Sequence, residues 1–220
     1  MQKIMFSEKF GLQQAVLNGS KTMTRRIEPT LCQLPKDIAE DEYLIQTIRE
    51  DSILVERCYK GAKLSSWIIR PRFYLFEKIA VAQRYWDLRN NDGFYEALQR
   101  ADPSFPLECI KGEKGCHNKM FVRADWMPHQ IEITDYRVER LQQISNDDCL
   151  KEGIIKRDDL IDSQMNNIVR YTFEGSFENH IYKTYKSPRE AFAALIGKIS
   201  GKKCWESNPW VLVYSFRLVK

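Results

Sequence analysis

The stretch that decides the fold is His129-Gln130-Ile131-Glu132-Ile133-Thr134-Asp135-Tyr136-Arg137-Val138-Glu139-Arg140-Leu141. It reads as one long strand, because side chains two residues apart share a face of a pleated sheet. Ile131 and Ile133 lie on one face, yet Tyr136 and Val138 occupy the other parity. A parity switch inside one strand is what a bulge or a barrel corner produces. The second strong strand is Trp210–Val219. Its even positions are all apolar, and its odd positions run from Val211 and Val213 to Ser215 and Arg217, so it starts buried and ends half exposed.

Working outward, Ser145-Asn146-Asp147-Asp148 opens a short helix that Gly153 can close. Ser187-Pro188-Arg189-Glu190 opens another, with Phe192, Leu195, Ile196 and Ile199 in one apolar stripe and Gly201 at its end. Near the start, Ser7 can cap a helix carrying Leu12, Ala15 and Val16, which Gly19 ends. Further strands are expected at Trp67–Arg70, Arg72–Phe76 and Lys78–Gln83. Residues 36–66 read as irregular, with a helix over Asp41–Arg49 and a short strand at Ser52–Arg57. Asp102–Lys119 reads as a loop, and a short strand is expected near Ile168–Phe173. Together these elements predict a mainly β, α+β fold: a small β-barrel flanked by short helices, one domain over 1–220, with insertions at about 30–66, 87–118 and 155–186.

Composition narrows the function classes. The chain has 220 residues, 34 Lys or Arg against 30 Asp or Glu, and 43% hydrophobic residues, enough for a real core. No apolar run approaches the roughly 20 residues that span a bilayer, and Met1–Phe10 does not resemble a secretory signal, so a cytoplasmic protein with no membrane partner is expected. The six cysteines are then expected as free thiols. Cys109, Cys116 and His117 make a poor zinc signature, while His129 and His180 are scattered, so neither metal nor cofactor is expected. No phosphate-binding glycine loop, nucleophile elbow or metal-helix motif is present.

The most informative polar stretch is Gly19-Ser20-Lys21-Thr22-Met23-Thr24-Arg25-Arg26, with three bases and no acid. In an extended strand Lys21 and Thr24 would face opposite ways; on a bend they converge. An ammonium and a hydroxyl held together can bind phosphate, or activate a nucleophile if burial lowers the lysine pKa. Arg25 and Arg26 add planar donors suited to phosphate or carboxylate. The plain alternative is a solvated basic loop.

The same stretch resembles the signature of the ASCH domain family, Gly-x-Lys-Thr-x-Thr-x-Arg. The resemblance continues at Arg137–Ile144, at Asp148–Ile154 and at Asn208-Pro209-Trp210-Val211, in the family's order and over roughly half the chain; it points to the large bacterial and phage-type branch. It implies a barrel related to the PUA fold and a cleft suited to RNA or a modified nucleoside. In one small branch, residues corresponding to Lys21, Thr24 and Glu152 hydrolyse the acetyl amide of 4-acetylcytidine, which implies Thr24 as nucleophile, Lys21 as base or charge stabiliser, and Glu152 as proton donor. Relatives often carry an acid where Gln83-Arg84-Tyr85-Trp86 has Arg84, which implies a more basic pocket here. Candidate ligand-binding residues are Lys21, Thr22, Arg25, Arg26, Arg84 and Trp86, the last as a stacking platform. Three functions follow as expectations: RNA or nucleoside binding, amidohydrolysis of an acylated cytidine, and a phage-associated protein-interaction module.

Overall fold

The structure, a computed structural model, describes residues 1–27, 31, 34, 42–49, 51–161, 166–178 and 181–219; His180 and Cys32 lie outside them. The fold is mixed α+β. Its centre is a five-stranded sheet in the order β1 (Lys3–Ile4), β6 (Lys78–Val81), β7 (Gln130–Arg140), β12 (Trp210–Leu218), β2 (Met23–Arg26). Only the β1–β6 pair is parallel. Among the described residues the ladders leave this sheet open, and the gap between its edges is spanned by Arg26, which donates to the Met5 carbonyl at 2.7 Å.

The parity switch in β7 has a definite cause. Asp135 pairs with Ser215 and Ile133 with Phe216, so Thr134 is an extra residue without a partner. The bulge lets Ile131 and Ile133 on one side, and Tyr136 and Val138 on the other, all reach the core. β12 is buried from Trp210 to Tyr214 and emerges at Arg217. Tyr214 and Val213, at its middle, are fully enclosed between β7 and β2.

A three-stranded antiparallel sheet of β3 (Glu42–Arg49), β4 (Ser52–Tyr59) and β5 (Ala62–Ile69) packs Ile53, Val55 and Ile69 against the same core. Here the expected helix over Asp41–Arg49 is overturned: residues 42–49 pair with β4, and the ladder's long-range partners outweigh local helix periodicity. The expected strand at Arg72–Phe76 is also absent, because Phe76 turns the chain at φ 62° before β6 begins. Residues 155–178 supply a hairpin of β8 (Ile155–Ile161) and β9 (Asn167–Thr172), followed by the short pair β10 (Phe177–Glu178) and β11 (Ile181–Tyr182).

Among the described residues, five helices complete the fold: α1 (Leu12–Leu17), α2 (Asp92–Ala101), α3 (Asn146–Lys151), α4 (Pro188–Ser200) and α5 (Lys202–Glu206). Ser145 and Ser187 cap α3 and α4, accepting from the Asp148 and Glu190 amides. Ser7 serves α1 differently from expectation: its backbone carbonyl accepts from Leu12, while Gly11 at φ 65° occupies the cap position. α2 was not foreseen. Asn91 caps it, and Phe94 and Leu98 join Tyr85 and Trp126 in a second, smaller core, with a series of short 3-10 turns over residues 107–126.

Candidate functional site

Gly19, at φ 78°, ends α1 and turns the chain toward β2. Lys21 and Thr22 therefore lie on a bend, anchored by the Lys21 amide on the Ala15 carbonyl (2.8 Å) and the Thr22 amide on the Lys151 carbonyl (3.0 Å). The second of these bonds joins the bend to the end of α3. A helix C-terminus leaves carbonyls without partners; Lys21 takes one of them, donating to the Glu152 carbonyl at 2.8 Å. It also donates to the Glu152 carboxylate at 2.7 Å and to the Met23 carbonyl at 2.7 Å.

Three acceptors satisfy the three N–H bonds of an ammonium, which is how a lysine only 1% exposed is tolerated. Burial nonetheless lowers the Lys21 pKa; Glu152 opposes the shift, and Arg26 and Arg25 reinforce it. The Phe6 ring lies against both cations, 5.8 Å from Lys21 Nζ and 5.6 Å from the Arg26 guanidinium.

Arg25 lies beside this pair with its side chain 1% exposed. Its Nη1 donates to Glu152 Oε1 (3.1 Å), its Nε and Nη2 to Glu139 Oε1 (2.9 and 2.6 Å), and Nη2 also to Asp148 Oδ2 (3.1 Å). Arg137 grips the same two acids from the outside, at 2.9 Å to Glu139 and 2.7 Å to Asp148. Burial works against the Arg25 cation, but Glu152 and Glu139 outweigh it and raise its pKa. Cys149, behind the cluster, has its thiol pushed up to about 12 by burial.

Lys21, Thr24 and Glu152 all line one cavity of about 330 Å³. Arg25 and Arg26 belong to the same polar side, and Phe192, Leu195, Ile196 and Ile199 of α4 form an apolar wall. The Thr24 side chain is buried against this space, and no hydrogen bond to another described residue holds its hydroxyl. The volume falls at the lower end of the range for small-molecule sites.

The remaining candidates are elsewhere. Thr22 does not line the cavity; its backbone carries the contacts, including its carbonyl on the Phe216 amide. Arg84 lines a separate groove on the far side of Met5–Ser7 and is bound to Asp87 (2.8 Å) and Glu8 (3.0 Å). Trp86 is 46% exposed, between His117 and Arg89, and lines neither space. Trp126 and Trp210 are buried. No group of three or more His, Cys, Asp or Glu among the described residues is placed to hold a metal ion, and none of their helices is long and apolar enough to cross a membrane.

Residues that sequence reasoning left out of the site are Phe6, Glu139, Asp148 and the α4 wall. Two of them fall in the stretches resembling the ASCH family, but the signal there was a pattern, not a contact. No family model, curated protein or solved structure matches the chain. Its chemistry follows from geometry alone: a lysine whose charge is costly, a carboxylate bonded to it, and an uncommitted hydroxyl at one small cavity. That set can move a proton and supply a nucleophile.

Proposed function

We propose that the chain is an ASCH-type protein, its open sheet a variant of the PUA-like barrel, that takes an N-acylated cytidine into this cavity and hydrolyses the amide. The observation that carries the reading is the buried Lys21–Glu152 pair at 2.7 Å, which lines the same cavity as Thr24. Thr24 Oγ attacks the acyl carbon, and its proton passes to the Lys21–Glu152 pair. The tetrahedral oxyanion forms on the side of the cavity lined by Arg26. It collapses by breaking the C–N bond, and the pair returns the proton to the departing 4-amino group. Water then cleaves the acyl-threonine ester, releasing the carboxylic acid and restoring the hydroxyl.

A free nucleoside is favoured over an RNA strand. Lys21 and Arg25, the bases expected to meet phosphate, have their donors committed to protein acceptors. The test is conversion of 4-acetylcytidine to cytidine, followed by chromatography. Wild-type protein turns the substrate over, and Thr24→Ala and Lys21→Met abolish turnover. No conversion by the wild-type chain would sink the hydrolase reading for that substrate.

A further inference from the structure

Arg25 has the wrong surroundings for a ligand-binding arginine. Its guanidinium is enclosed, and each of its nitrogens already donates to a carboxylate. The arrangement is directional. Glu139 and Asp148 hold the outer edge of the fork, so Nη1 is left aimed at one oxygen of Glu152, while the other oxygen meets Lys21. Glu152 closes α3, where a side chain with one partner would be free to rotate about its own bonds. Held at both oxygens, it is fixed.

We propose that Arg25 is a positioning residue: clamped by Glu139 and Asp148, with Arg137 closing the cluster, it fixes the Glu152 carboxylate so that Lys21 is presented to the cavity in one geometry. This rests on the hydrolase reading for its catalytic consequence, though not for its effect on Lys21 itself. Well-positioned groups matter because a misplacement of about 1 Å can cost roughly a hundredfold in rate.

The charged groups facing Lys21 are few. Among the described residues, α3 contributes Glu152 and β2 contributes Arg25 and Arg26; Phe6 presents an aromatic ring, and α1 packs near it through uncharged Leu12 and Ala15. Of these, Arg25 alone touches Glu152 as well, so changing it alters both the field at Lys21 and the orientation of its partner.

Two variants of the full chain separate field from geometry. Arg25→Gln removes the positive charge and raises the Lys21 titration midpoint, read by NMR on lysine labelled with carbon-13 at Cε and assigned with Lys21→Arg. The acid limb of the kcat profile on 4-acetylcytidine moves up with it. Arg25→Lys keeps the charge but loses the fork; kcat falls roughly tenfold to a hundredfold with KM within about twofold, and the midpoint does not rise. Asp148→Asn, nearly isosteric and less disruptive to folding, lowers kcat in the same sense with KM unchanged. Folded variants in which kcat and the Lys21 midpoint both match wild type overturn the proposal, and a loss of thermal stability alone would make Arg25 merely structural. If wild-type chain fails to turn over the substrate, the hydrolase reading falls, and the Lys21 midpoint in Arg25→Lys still decides the positioning claim: it falls if Glu152 is released and matches wild type if Arg25 does not hold it.

Discussion

Glu152→Gln is the most informative single perturbation of the cluster. The substitution keeps shape and removes one negative charge from a residue only 4% exposed. Wild-type Glu152 accepts from Lys21 through Oε2 and from Arg25 through Oε1. A glutamine amide has one oxygen and one NH₂, so whichever way it turns, a donor faces a donor. The cluster of Lys21, Arg25 and Arg137 with Glu139, Asp148 and Glu152 also passes from balanced to one excess positive charge. Removing one partner of a buried pair typically costs 3–5 kcal/mol; about 3 is expected here, because Arg25 keeps two acids and the amide oxygen keeps one bond. For a chain of this size that corresponds to a Tm lower by about 6–12 °C.

The pH dependence gives a second, sharper readout. Burial already lowers the Lys21 pKa from its ordinary 10.5, and without Glu152 the opposing influence is gone, so it falls further. Between the folded and unfolded values the unfolded chain binds more protons, so stability rises with pH across that window, by up to about 1.4 kcal/mol per pH unit. The window is wider in Glu152→Gln than in wild type. The deficit of the variant therefore narrows on going from about pH 7 toward about pH 10, over the part of that range in which the folded variant has lost the Lys21 proton and folded wild type still holds it. Urea unfolding followed by tryptophan fluorescence at both pH values measures it. A deficit under about 1 kcal/mol at neutral pH, or one that does not narrow, would refute the account of a buried, desolvated pair.

Other expectations follow from neighbouring features. Thr24→Val removes a hydroxyl without a hydrogen-bond partner in the described structure, so stability changes by less than about 1 kcal/mol while hydrolysis is lost; equal losses of both would place the hydroxyl in the fold instead. Gly153 sits at φ 100° with a built Cβ only 3.1 Å from Leu12, so Gly153→Ala costs about 1–3 kcal/mol in chemical unfolding and disturbs the α3–Lys21 contact. Deleting Thr134 closes the bulge but leaves every other pair of β7 with β12 as it was, so Ile131, Ile133, Tyr136 and Val138 all stay on the core face; chemical unfolding is expected to show a loss below about 3 kcal/mol, and a larger one would overturn this account of the bulge. Cys149, with its thiol pushed up to about 12, stays unalkylated at mildly alkaline pH while exposed Cys109 is modified first, as mass spectrometry of the native protein would show.

What the sequence revealed depended on how local the deciding interactions were. The bulge in β7, the burial gradient of β12 and the serine caps of α3 and α4 are set by patterns within a dozen residues, and each was legible. The stretch at 42–49 was not, because Tyr43, Leu44, Ile45 and Ile48 fit a helix face nearly as well as a strand, and pairing with β4 decides between them. α2 carried a usable signal in Asn91 followed by Phe94, Ala97 and Leu98 at helical spacing, but Gly93 and the polar surroundings masked it.

The site itself shows the same limit in charge. Three bases without an acid from Gly19 to Arg26 look like an uncompensated patch awaiting an anion. In the fold, the acids that neutralise Lys21 and Arg25 arrive from 114 to 131 residues further along the chain. That changes the chemistry expected of the motif. A cation already matched by carboxylates has little to offer a phosphate, whereas a buried lysine bonded to a glutamate can take up and give back a proton. Arg26, the third base, also lines the cavity and donates to the Met5 carbonyl. On the proposed hydrolase reading the motif is one half of a proton-handling pair, completed by the end of α3, rather than a basic surface.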